Sequence, residues 1–366
     1  MTYERIAYQA LMGQAPKGIP HWEFLGCPAA ETYITGIDTY QHPRECRLRL
    51  AEMYPKLNVK IPETDDPIEQ LDFGGEGETV GTDERGRRVV RWAGTTTHFR
   101  DVNPRFKTVE DVFAFSPLAE PDWTQTDVVT NWDFTSEETL YQHFRKQFPV
   151  EWGDQAPEGS TASVGFYQTM FMWPLLAFGW ELFLESCLDP RFERVMDEFA
   201  ELNRRLFRAF ARLPVNFVHC HDDIVNTRGP VCSPKWMHTY IFPRYEEFFS
   251  IVKDAGKEVT FISDGCLDAF VDDVFACGAR GILGEPYNDY KAIARKYPDC
   301  YLTGEGDTRV LSRNDPDEIT AMVRSMVETA QMTGGYFMRI GNEFTWRTPP
   351  EAVKLYLDLS HELANR

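Results

Sequence analysis

The residue types that could do chemistry in this chain gather at the ends of five short apolar runs. These are VNFVHCHDD (Val215 to Asp223), EVTFISDG (Glu258 to Gly265), GILGE (Gly281 to Glu285), CYLTGEGD (Cys300 to Asp307) and YFMRIGNE (Tyr336 to Glu343). A carboxyl held among other carboxylates has its pKa raised by like charge and burial, so it can carry a proton near neutral pH and pass it to a leaving oxygen. Asp222, Asp223 and Asp264 are the candidates for that work, and His221 is the imidazole best placed beside them. His219, two residues deeper on the same strand face, reads also as a core histidine, while Cys220 points the other way and reads as packing. The same run ends supply enough hard ligands for one divalent ion, zinc above all, through Asp264, Glu285 and Glu343, with Glu305, Asp307 and the two histidines available beside them. Such an ion would act as a Lewis acid on a substrate oxygen. Trp22, Tyr167 and Phe344, with Trp346 and the stretch Phe166 to Trp173, either line an apolar pocket or are ordinary core at strand and helix junctions. Arg339 and Arg309 are the cations nearest the run ends, and either fixes a substrate group or pairs with the acidic residues.

Positioning these groups on one rim requires parallel strands that end together. Buried parallel strands read as continuous Val, Ile, Leu and Phe runs, and in barrels of such strands the reactive groups sit at the carboxyl ends. Three earlier runs, IPHWEF (Ile19 to Phe24), NVKIP (Asn58 to Pro62) and ASVGFY (Ala162 to Tyr167), bring the count to eight. Eight strands separated by helices predict an α/β fold of the (β/α)8 TIM barrel type, with a doubly wound open sheet as the alternative. The helix after the third strand is marked by Asp189-Pro190 and by Phe192, Val195, Met196, Phe199, Leu202, Leu206 and Phe210 at three- and four-residue steps. Ser233-Pro234, Asp315-Pro316 and Thr348-Pro349 mark three further helix starts, the last with Glu351 at the capping-box position.

Residues 63–158 break the rhythm. Leu71 to Phe99 carries glycine-rich turns around alternating strand-like residues, which predicts a small antiparallel excursion inside a single domain spanning 1–366. An insertion of this length is expected to act as a lid over the barrel mouth or as the interface of a homodimer.

A hydrophobic fraction of 43% with 26 Phe and nine Trp supports a large core and excludes a disordered chain. The net charge of -19 argues against nucleic acid and anionic membrane surfaces as partners, since both need concentrated Lys and Arg. The chain shows no apolar stretch long enough to span a bilayer and no signal-peptide core at its start, so a cytoplasmic protein is expected. Eight cysteines without CxxC spacing read as reduced thiols.

The segment DDIVNTRGPVCSPKWMHTYIFPRY (Asp222 to Tyr245) resembles the uroporphyrinogen decarboxylase superfamily, as do GEGDTRVL (Gly304 to Leu311) and IGNEFTWRTPP (Ile340 to Pro350). Upstream, ERIAYQALMGQAPKGIPHW (Glu4 to Trp22) is similar to the opening helix and strand of its methyltransferase branch, whose members move a methyl group between a small donor or thiol and a corrinoid on a partner protein. The resemblance implies the barrel and two chemistries. True decarboxylases of the superfamily hold substrate carboxylates with an arginine-rich N-terminal motif and use a histidine on the last strand. Here His21 and Glu23 follow Pro20 without paired arginines, and Asn342 stands at that histidine's place. The thiol-activating methyltransferases hold zinc with His-x-Cys and a later Cys, places taken in this chain by Ile262, Asp264 and Asn342, so activation of a thiol is disfavoured. What the resemblance implies for this oxygen-rich rim is a methyltransferase taking a methyl group from a small oxygen-linked donor, a methyl ether or alcohol, to a corrinoid-binding protein. Asn342, with Trp22, Tyr167, Arg339 and Phe344, is then expected at the substrate. A carboxy-lyase or a non-catalytic ligand-binding homologue is the alternative.

Overall fold

The computed structural model describes residues 3–68, 78–83, 85–92, 96–100, 103–126, 132–344 and 347–365. All eight runs read from the sequence overlap a strand, the second by Asn58 alone: β1 (His21–Trp22), β2 (Leu57–Asn58), β3 (Ser163–Tyr167), β4 (Phe217–His221), β5 (Glu258–Ile262), β6 (Gly281–Leu283), β7 (Tyr301–Thr303) and β8 (Gly335–Phe337), numbering the barrel strands alone. Strands β3 to β8 form one parallel sheet in sequential order. Strand β1 pairs in parallel with β2, and the His21 to Met338 bridge joins β1 to the end of β8. The strands therefore run around a TIM barrel in chain order. Its seam lies between β2 and β3, where no ladder forms among the described residues and where residues 63–158 leave and return.

In that connection, strands Glu78–Thr82, Arg88–Trp92 and Thr96–Arg100 pair antiparallel, and two short helices begin with capping boxes at Thr108 and Ser136. Parts of the Leu71 to Phe99 segment, 71–77, 84 and 93–95, lie outside the described residues.

Helices cover the outside of the sheet. The stripe read from sequence becomes helix Phe192–Arg212, with Phe192, Val195, Met196, Phe199, Leu202, Leu206 and Phe210 all buried. Ser233 and Asp315 cap their helices as their Ser-Pro and Asp-Pro spacing predicts, Ser233 accepting from the Trp236 N–H and Asp315 from those of Asp317 and Glu318. The last helix, Pro350–Leu363, has Pro349 at its cap and no side-chain cap; Thr348 is buried one residue earlier, so the expected box does not form. All eight cysteines are free. Among the described residues no helix is long and apolar enough to cross a membrane.

The barrel interior has two layers. In the lower one Gly165, His219, Thr260, Gly281, Tyr301 and Gly335 are in register. Glycine on β3, β6 and β8 is required by close approach: a Cβ at Gly165 would lie 2.9 Å from the His219 Cβ, and one at Gly281 or Gly335 would collide with Tyr301. In the upper layer Tyr167, His221, Ile262, Leu283, Thr303 and Phe337 are in register, and period-two alternation aims them inward as well. The three glycines make room for the side chains of His219 and Tyr301. A cavity of about 390 Å³ lies in the interior, bounded by residues of all eight strands and by the first helix, Tyr3–Leu11, across the amino ends.

Candidate active site at the rim

Counting two residues past the upper layer gives Asp223, Asp264, Glu285, Glu305 and Arg339, one from each of β4 to β8. Four of the five converge. His221 Nε2 lies 3.2 Å from Asp223 Oδ1, and the same oxygen accepts the Asp264 N–H at 2.7 Å. The ligand-bearing atoms of His221, Asp223 and Asp264 all fall within 4.8 Å of one another. Glu285 accepts the Gly265 N–H at 2.7 Å, which fixes the turn that carries Asp264. The Tyr167 ring meets the His221 ring edge-on, 4.0 Å between centroids. Burial, then the charges of Asp223 and Glu285, push the Asp264 carboxyl up to about 6, with His221 and Arg339 pulling the other way. Its oxygens accept no hydrogen bond from a described residue, so they face the barrel mouth unengaged.

Glu305 is the member that turns away. Gly304 takes φ +96°, where a Cβ would also collide with the Gly284 carbonyl, and the left-handed residue breaks the alternation. Glu305 then faces outward, accepting from Tyr336 Oη at 2.6 Å and Thr329 Oγ1 at 3.0 Å, and burial raises its carboxyl to about 7. Asp307 is likewise occupied: it caps helix Thr308–Arg313 and pairs with Arg309 at 2.9 Å.

Asp222 needs the largest correction. It is fully buried and points away from the rim, accepting the N–H groups of Met170 (2.6 Å), Phe171 (2.7 Å) and Met172 (2.6 Å) and the hydroxyl of Tyr245 (2.6 Å). Four donors on two oxygens leave nothing for a substrate, and alternation along β4 requires this outward direction once His221 and Asp223 face in. Asp222 holds the start of helix Met172–Phe178 and so positions its two neighbours. The Met170 to Trp173 stretch is core.

The remaining expected contacts divide. Arg339 is buried, its guanidinium carbon 4.3 Å from the Trp22 ring centroid, with Nε and Nη1 unpartnered among the described residues and Nη2 donating to the Asn342 carbonyl at 3.3 Å. Trp22 also lines the interior cavity. Asn342 and Glu343 are exposed, and Glu343 leans toward Gly26 after β1 instead of joining Asp264. Glu285 and Glu343 both lie outside the group of atoms that could share an ion, which takes His221 and Asp223 with Asp264 in their place. Phe344 is 2% exposed and packs in a crevice with Leu25, Cys27, Ile34, Val353 and Leu357, because the chain passes over the rim there toward the last helix. It belongs to the core outside the barrel. Trp346 lies outside the described residues.

Sequence reasoning missed Tyr245, the partner of Asp222, and Thr303, an inward residue whose hydroxyl is unpartnered. Counting back by two from Glu305 would have found Thr303.

One imidazole nitrogen and two carboxylates so close together are a donor set that fits zinc or a harder divalent cation. The hydrogen bonds that orient Asp223, and the Tyr167 ring against His221, are the outer support such a site needs.

Residues 189–363, from the helix before β4 to the last helix, match the family model described as uroporphyrinogen decarboxylase. Over that stretch the chain is similar to the uroporphyrinogen decarboxylase family. A methyltransferase from Methanosarcina mazei superposes with a TM-score of 0.59 over 99% of both chains at 16% identity, which establishes a shared fold. D-psicose 3-epimerase is matched over 62% of this chain and 82% of its own at 13% identity, TM-score 0.33. No curated protein matches the chain by sequence. The superfamily match covers β4 to β8, the strands that carry the rim group.

Proposed function

We propose that the chain is a methyltransferase taking a methyl group from a small oxygen-linked donor, a methyl ether or alcohol, to a corrinoid carried by a separate binding protein. The observation that carries this reading is the convergence of His221, Asp223 and Asp264 at the rim, an oxygen-rich group with no thiolate in it. In the transfer the methyl carbon leaves its oxygen for the acceptor, and both electrons of the broken C–O bond stay on the oxygen. That oxygen must receive positive charge, and the rim is built to supply it.

Zinc held by His221, Asp223 and Asp264 would polarise the donor oxygen as a Lewis acid. The chain's own groups do the rest. Without the ion, Asp264, when protonated, would donate to the departing oxygen as general acid instead; in either case Asp223 orients both His221 and the Asp264 backbone. Arg339, flat against Trp22, offers Nε and Nη1 to the developing negative charge, and Asn342 with Tyr167 borders the mouth. Cytoplasmic location and a lid or dimer role for residues 63–158 accompany this reading.

The test is transfer from 2-methoxyphenol or methanol to cob(I)alamin, followed by loss of the reduced corrinoid's absorbance. Wild type should turn over, and Asp264→Asn should slow it by about 10² to 10⁴, the usual contribution of a positioned acid. Release of carbon dioxide from uroporphyrinogen, with no methyl transfer, would reject the proposal in favour of a lyase.

A further inference from the structure

The interior cavity is unusual for a barrel of this type, whose centre is ordinarily filled by layered side chains. At about 390 Å³ it is over twice the ~150 Å³ that admits benzene in an apolar protein interior. Its wall is mainly apolar, with Leu11, Trp22, Ile262, Leu283 and Phe337 contributing, and no Asp, Glu, Lys or Arg side chain lines it. Two polar atoms in that wall are buried without a partner: His219 Nδ1 and Thr303 Oγ1, the threonine being 4% exposed. Thr260 and Tyr301, also in the wall, bond to each other. Both atoms are closed off from the open space, so the cavity presents a mainly apolar wall to whatever enters it.

We infer that the barrel interior is a ligand chamber that takes a neutral, mainly apolar molecule of one or two rings. Charge excludes anions, because a carboxylate there would be buried without a cation. Size and charge together exclude a porphyrinogen with its many carboxylates. The upper edge of the chamber is formed by Ile262, and Asp264 projects two residues above it. In a clause that rests on the methyl-transfer reading, the occupant is the body of the donor, its ether oxygen at the rim and its methyl group toward the acceptor.

The test is calorimetric titration of the zinc-loaded protein with 2-methoxyphenol and with 4-methoxybenzoate. The neutral probe should bind, and the anion at least about 100-fold more weakly. Ala7→Phe fills the chamber from the first helix, far from the rim, and should abolish probe binding while leaving zinc stoichiometry unchanged. Should that variant fail to fold, the contrast between the neutral and the anionic probe carries the test alone. No binding of 2-methoxyphenol, or equal affinity for the two probes, overturns the chamber. Binding that Ala7→Phe abolishes without methyl transfer to cob(I)alamin in wild type upholds the chamber and rejects the transferase. Transfer with an unchanged KM in Ala7→Phe does the reverse.

Discussion

Replacing Asp222 separates a structural carboxylate from a reacting one. Asp222→Ala would leave three N–H groups and the Tyr245 hydroxyl without an acceptor in a fully buried place. At about 1–3 kcal/mol for each unsatisfied buried donor, the gross loss is about 4–12 kcal/mol. Burial returns part of that. It lifts the Asp222 carboxyl from 3.8 to about 6 despite its four donors, so removing the charge relieves about 3 kcal/mol at 1.36 kcal/mol per pH unit. A net destabilisation of about 4 kcal/mol is expected for alanine, toward the middle of that range after the offset. Asparagine keeps one acceptor oxygen but turns an amide N–H₂ toward backbone donors, for a loss of about 2 kcal/mol. Unfolding entropy near 2.1 cal/mol/K per residue gives about 0.8 kcal/mol/K for 366 residues, so the alanine variant should melt about 5 °C lower and the asparagine variant about 2–3 °C lower. Calorimetric melts at pH 7 measure both. If Asp222→Asn melts with wild type and yet loses turnover, Asp222 is a reacting group and the positioning argument is wrong.

Two further outcomes follow from the same geometry. Metal analysis of dialysed protein should find one zinc per chain in wild type and in Glu343→Gln, and little in His221→Ala or Asp264→Ala; retention in both alanine variants would place the ion elsewhere. Gly304→Ala combines a φ of +96° with a collision against the Gly284 carbonyl, so it should cost at least about 3 kcal/mol in urea denaturation, and a loss below ~1 kcal/mol would contradict the turn that sends Glu305 outward.

The strands were legible because each is a short apolar run closed by polar residues, and parity from His219 correctly aims His221 and Asp223 inward. Parity fails where a residue outside the L-residue regions intervenes. Gly304 does this to Glu305, and a sequence cannot say which of Gly284, Gly304 and Gly306 takes the positive angle. Asp222 was misassigned for the opposite reason. Three adjacent chemical groups, His221, Asp222 and Asp223, invite one role, yet a strand must send the middle one to the helix side. Phe344 and Glu343 lie past the last strand, where neither period holds and packing against the final helix decides. The interior cavity was not legible at all. Its wall is made by side chains from all eight strands and the first helix, and how strands far apart in sequence come into register is set by tertiary packing.

Charge arithmetic at the rim makes a last claim that can be checked without a substrate. Asp223, Asp264 and Glu285 contribute three negative charges when ionised and Arg339 one positive, a surplus of two in a half-buried site. Such a surplus recruits positive charge, either a proton on Asp264 or a divalent ion at His221, Asp223 and Asp264. The two compete for the same carboxyl. With Asp264 taking a proton at about 6, zinc binds against no proton at pH 7.5 but must displace one at pH 5. Displacing that one proton should weaken affinity about ten-fold per pH unit below 6. Titration of the metal-free protein with zinc at pH 7.5 and 5 against a competing chelator measures the ratio. Affinity that does not change over that range would mean that Asp264 does not hold the ion, and the oxygen-rich rim would lose its Lewis acid.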